Sequence, residues 1–214
     1  TSPITEQPGG KPPNDPPKNM TNFALIIQDM QHDVIGEQGA FAETGAPAHA
    51  AGQNVIANVA RLADAARGAG VPVIHVHYIV EKGSVGLKPN APLFQGVVDT
   101  NALVRGSWGA APVEGVEPVD GDHVVEKMRM NGFYETRLDI LLRGLGVDSL
   151  VISGCYTNMS IEHTARHGAD AGYTITVVSD GTSTTSDEWQ HAALSYAMTN
   201  VGRVLTVDEV IAEL

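Results

Sequence analysis

The sequence predicts an α/β fold: a three-layer α/β/α domain built on a six-stranded, mainly parallel, doubly wound sheet. Three observations carry this. From Phe23 onward, short apolar runs alternate with stretches of helical periodicity, the pattern of strand–helix repeats. The runs are nearly continuous in apolar residues, so their strands are covered on both faces. With 43% hydrophobic and 18% charged residues over 214 positions, the composition is that of a globular chain able to bury one sizeable core.

The elements follow in order. Residues 1–21 hold six of the twelve prolines and few apolar side chains, and are expected to form a proline-rich arm, either a solvated tail or a segment that packs on a neighbouring subunit. The domain proper is expected over 22–214. Phe23 to Gln28 reads as a buried strand ending at Asp29. Val55, Ile56, Val59, Leu62, Ala63 and Ala66 then recur at helical spacing until Gly68 and Gly70 stop the helix. Val71 to Val80 is the next strand. Gly83 to Gly121, rich in glycine and proline, is expected to be irregular, with one short strand near Ala102 to Val104, and to build walls of a site. His123 to Lys127 is a strand, Leu138, Leu141, Leu142 and Leu145 stripe a helix closed by Gly146, and Asp148 to Ser153 is a strand. Helix 160–171, strand 174–179, helix 186–200, strand 203–205 and helix 207–214 complete the series.

The charge balance narrows the function. Thirteen Lys and Arg against 25 Asp and Glu give a net charge of −12, which excludes a general nucleic-acid binder. The single cysteine, Cys155, forbids an internal disulfide, and no Cys/His spacing fits a structural zinc site. No run reaches the roughly 18 apolar residues of a membrane span. A cytoplasmic protein without membrane or nucleic-acid partners is expected.

In an open parallel sheet the ligand sits outside the carboxyl ends of the strands. Asp29, Lys127 and the segment Gly154 to Ser160 all fall there, so an acid, a cation and a nucleophile-type residue converge by topology. Each alone has a plain structural use, as a turn residue, a solvated cation or a helix cap. Lys127, following Val124 and Val125 at the end of a core strand, needs a partner.

Three segments together resemble the isochorismatase-like cysteine hydrolases: Ala24 to Asp33 with Asp29 and Gln31, Glu126-Lys127 followed by Gly132 to Thr136, and Gly154 to Arg166 with Thr157, Asn158 and Ser160. The resemblance runs from Phe23 to Leu214. It implies catalytic roles for Asp29, Lys127 and position 160, an oxyanion hole from the backbone N–H groups of Tyr156 and Ser160, and a cis peptide between Cys155 and Tyr156. No cofactor and no metal are implied. His75 and His77, two apart on a strand, lack the Asp-x-His that metal-binding relatives carry, and are expected to be packed or wall residues. The family commonly forms dimers or tetramers, so a homodimer or homotetramer is expected.

In the amidohydrolase branch the third segment carries a cysteine nucleophile where this chain has Ser160. A thiol beside a lysine ionises far more readily than a hydroxyl. A cysteine-to-serine replacement that holds substrate in the pocket is the leading expectation. The competitors are a natural serine variant and use of Cys155, whose plain role is a buried structural thiol. Trp108, Phe133, Tyr156 and Thr157 are candidate substrate contacts, with Gln31. In 180–190, the hydroxyl run, Trp189 and Gln190 suggest a polar planar ligand such as triuret, biuret or ureidoacrylate. Ser186 also suits an ordinary helix cap. The other readings are an isochorismatase-type vinyl-ether hydrolase and a non-catalytic metabolite binder.

Overall fold

The computed structural model describes residues 22–214; the expected arm at 1–21 lies outside the described residues. Among these residues six strands form one sheet: β1 (Phe23–Gln28), β2 (Val73–Tyr78), β3 (His123–Lys127), β4 (Ser149–Cys155), β5 (Thr174–Ser183) and β6 (Arg203–Leu205). Their order is β3-β2-β1-β4-β5-β6 and all five pairings are parallel. The chain winds outward from β1 in one direction and then, through β4, in the other. The crevice at the carboxyl ends of β1 and β4 is therefore the place where a ligand fits.

Among the described residues, eight α-helices accompany the sheet: α1 (His32–Ile35), α2 (Ala46–Gly52), α3 (Val55–Gly68), α4 (Pro92–Asp99), α5 (Leu138–Gly144), α6 (Glu162–Asp170), α7 (Asp187–Ala192) and α8 (Val207–Ile211). The two-residue alternation of β1 divides the core. Leu25 and Ile27 pack on the side of α3, with Val59 and Leu62, while Ala24 and Ile26 pack on the side of α5 and α6, with Leu138, Leu142 and Ala165. The three layers follow from that division.

Several boundaries differ from the sequence reading. No strand spans 102–104: Asn101 and Leu103 have φ of 52° and 59°, which breaks any extended run, and only Val104 bridges to Val80. The supposedly irregular segment instead contains α4, with Pro92 in its first turn, where the missing N–H does no harm, and Phe94 and Val97 buried. The helix expected at 186–200 is α only to Ala192, then π-helical over Ala193–Ala197 and 3-10 over Met198–Asn200. The helix expected at 160–171 opens with a π-helical turn, Thr157–Ile161. β5 runs on to Ser183, so the hydroxyl run begins in strand, at Thr182 and Ser183, and leaves it at Thr184.

No helix among the described residues is long and apolar enough to cross a membrane. His75 and His77 are buried in β2; His75 Nε2 lies 3.0 Å from Asp122 Oδ2, which in turn accepts from Arg67. Burial, helped by nearby His75, holds His77 down at about 4. An unfolded His takes up its proton near 6.5, so the contribution of His77 to stability is complete above that pH and is lost as pH falls towards 4. The loss is about 3 kcal/mol over that window. Urea unfolding at pH 7 and pH 4.5 should show it, and His77→Gln should flatten the difference. Equal pH dependence in both proteins would refute this assignment.

Candidate functional site

The crevice begins with Asp29, the residue that ends β1. Its φ of 56° turns the chain out of the strand, and its N–H still donates to the Val76 carbonyl at 2.9 Å. Lys127 ends β3, two strands away, and is paired in register with Tyr78 of β2. Its side chain passes over the Tyr78 ring, 4.6 Å from the centroid, and its ammonium reaches Asp29 Oδ2 at 2.8 Å. The Arg129 carbonyl accepts a second ammonium proton at 2.9 Å. Both side chains of the pair are out of solvent, at 0% and 5% exposure, so this is a desolvated ion pair and not a surface one.

Burial pushes the Asp29 carboxyl above the usual carboxylate range, against the opposing pull of Lys127. The Ser160 hydroxyl and the Gln28 side chain also approach the carboxylate and favour its charge. Oδ1 nevertheless lacks a hydrogen bond of full geometry. A carboxylate held this way is a better proton acceptor than a solvated one, and it has a free oxygen with which to accept.

The third member arrives from β4. Gly154 approaches β1 so closely that a Cβ there would lie 2.0 Å from the Gln28 carbonyl oxygen, and its φ of 110° suits only glycine. The Cys155–Tyr156 peptide is cis, and the π-helical turn that follows sets Ser160 on the cavity floor beside Asp29. Cys155 is fully buried, its thiol 3.7 Å from Met30 Sδ, and burial pushes it far above the ordinary thiol range. Such a thiol is a poor nucleophile.

Above the floor lies a cavity of about 410 Å³. Val34, Phe41, Leu93, Val97, Leu103 and Trp189 give it walls, with Tyr156 and Met159 near Ser160. Asp33 in α1 braces two of these walls: Oδ1 accepts from the Ala40 N–H at 3.0 Å and Oδ2 from the Leu103 N–H at 2.7 Å. Gly109 leaves the room this needs, since a Cβ there would lie 2.1 Å from Asp33 Oδ2.

The other sequence-selected residues divide. Trp189 and Tyr156 line the cavity, the Tyr156 hydroxyl donating to the Val34 carbonyl at 2.5 Å. Gln31 does not reach it: fully buried, its amide holds both the Tyr78 N–H and the Tyr78 carbonyl, and the Ala110 carbonyl as well. Thr157 and Gln190 are buried partners of each other at 2.5 Å, and the Gln190 amide also meets Thr182 and the Ser179 carbonyl. Thr184, just past β5, bonds to Asn158 of the nucleophile turn and Ser183 bonds to His49 of α2, so these two hydroxyls hold neighbouring elements, while Thr185 lines the cavity. Ser186 caps α7. Phe133 stacks on His167 at 4.8 Å in the opposite core layer, and Trp108 stacks on His32 at 4.2 Å, half exposed and away from the cavity. Sequence reasoning missed Tyr78, Phe41, Leu93, Val97 and Leu103. The signal for Tyr78 was its place at the end of β2, beside Lys127.

Among the described residues no group of three or more His, Cys, Asp or Glu is placed to hold a metal ion. In sequence the chain is 36% identical over 202 residues to the ureidoacrylate amidohydrolase RutB of Serratia proteamaculans, covering 86% of this chain and 79% of that protein. In structure it matches a cysteine hydrolase from Pseudomonas syringae pv. phaseolicola with a TM-score of 0.80 at 26% identity, covering 98% of both chains. The fold is shared with N-carbamoylsarcosine amidase from Thermoplasma acidophilum, at a TM-score of 0.69 and 24% identity over 88% of this chain and 98% of that one. The isochorismatase domain model matches residues 23–209, almost every residue from β1 to α8, and the chain belongs to that family.

Proposed function

We propose that the protein is an amidohydrolase that cleaves the C–N bond of a small amide, carbamoyl or ureido compound. We propose further that Ser160 stands where the reaction needs a thiol, so that this chain binds substrate without turning it over efficiently. The observation that carries the reading is the buried Asp29–Lys127 pair, 2.8 Å apart, facing position 160 across a cavity floor.

With cysteine at 160, Asp29 takes the thiol proton and Lys127 steadies the resulting charges. The thiolate attacks the carbonyl carbon, and the oxyanion is met by the backbone N–H groups of Tyr156 and Ser160. Protonated Asp29 then gives its proton to the leaving nitrogen, and ammonia or an amine departs. Water, deprotonated by the same carboxylate, opens the thioester and restores the thiol. A serine hydroxyl is far harder to deprotonate, and Asp29, even with its raised pKa, is a weak base for it.

The test is Ser160→Cys, assayed for ammonia or amine release on a panel of small amides and ureides. Release should rise by about tenfold or more over the parent chain on at least one panel member. No gain on any member would count against the amidohydrolase reading. Equal isochorismate hydrolysis by parent and variant would replace it with the vinyl-ether reading.

A further inference from the structure

Resting on the amidohydrolase reading, we infer that the cavity is built for an uncharged amide with an apolar body, anchored by the Tyr78 hydroxyl, and that it discriminates against carboxylate-bearing substrates. The walls give the first argument. Val34, Phe41, Leu93, Val97, Leu103 and Trp189 present hydrocarbon or aromatic surface to the space above the floor. A ligand made of amide groups alone would leave most of that surface without a partner, whereas each buried methylene contributes favourably.

The polar groups give the second. Among the described residues that line the cavity there is no Arg, Lys or His. Lys127, beneath the floor, is already held by Asp29, the Arg129 carbonyl and the Tyr78 ring. A ligand carboxylate would therefore be desolvated without a counter-ion and would face Asp29. In the segment after Val178, the Thr182 and Thr184 hydroxyls and the Gln190 amide are taken up by partners within the protein, which leaves Thr185 as the hydroxyl of that run that lines the cavity.

The third argument is what remains unpaired. Tyr78 is 4% exposed, lines the cavity, and its hydroxyl has no hydrogen-bond partner. Asp29 Oδ1 is in the same state. Buried polar atoms of this kind are costly unless a ligand meets them. One neutral amide supplies both needs, an N–H for Asp29 Oδ1 and an acceptor for the Tyr78 O–H. Gln31, by holding the Tyr78 backbone on both sides, fixes the ring that carries that hydroxyl.

Calorimetric binding to the parent chain tests this without requiring turnover. The probes are phenylacetamide, its 4-carboxylate derivative, and biuret, which is uncharged but lacks an apolar body. Phenylacetamide should bind at least about tenfold more tightly than either of the others. Tyr78→Phe should weaken it by about tenfold. Gly96 lines the cavity and a Cβ there meets no atom within 4 Å, so a side chain has room to start there and Gly96→Leu is expected to narrow the space. That variant should weaken phenylacetamide while leaving acetamide binding unchanged. Tighter or equal binding of the carboxylate or of biuret, or no binding of phenylacetamide, would overturn the inference. If Ser160→Cys hydrolyses nothing yet the affinities follow the expected order, the reaction fails and the ligand class stands.

Discussion

Lys127→Met is expected to lower the unfolding free energy by about 3 to 5 kcal/mol, because it leaves the Asp29 carboxylate buried without its cation. The side chains of the pair are almost wholly out of solvent and no other cation lines the cavity among the described residues, so nothing takes over the role of Lys127. The double variant Asp29→Asn/Lys127→Met should recover most of that loss, since it removes both charges and keeps similar volumes. Urea unfolding of the parent, both single variants and the double variant forms the cycle. A single Lys127→Met variant as stable as the double one would mean that the charge of Asp29 is met from elsewhere. The cycle does not depend on what the protein catalyses.

In the Ser160→Cys background, Asp29→Asn should reduce kcat/KM by about 10² to 10⁴, the range removed with a general acid–base group. An amide cannot take the thiol proton or return it to the leaving nitrogen. Burial raises the Asp29 carboxyl, and the working form is the deprotonated one. Activity should therefore rise with pH along a limb lying above the usual carboxylate range near 4, and Asp29→Asn should abolish that limb. A limb unchanged in the Asn variant would assign the proton transfer to another group.

Much of this arrangement could be read before the fold was seen. The near-continuous apolar runs at Phe23 to Gln28 and at the Ser149 strand marked covered strands, and strand ends alone brought Asp29, Lys127 and Ser160 to one crevice. What was hidden has physical reasons. Pro92 reads as an interruption in sequence but sits in the first turn of α4, where proline is welcome. The apolar walls come from Phe41, Leu93 and Leu103, which have no shared periodicity because they lie on separate loops and a short helix. The hydroxyls of Thr182 and Thr184 looked available for a ligand because the sequence does not show that Gln190 and Asn158 face them. A run of Ser and Thr is the same string whether it serves a substrate or the protein itself.

The brace at Asp33 makes the cavity walls interdependent in energy as well as in place. One carboxylate holds the backbone just before Phe41 and that of Leu103, through residues 7 and 70 positions away along the chain. Because both stretches of backbone hang on this one carboxylate, truncations of Phe41 and Leu103 are expected to be non-additive in a double-mutant cycle.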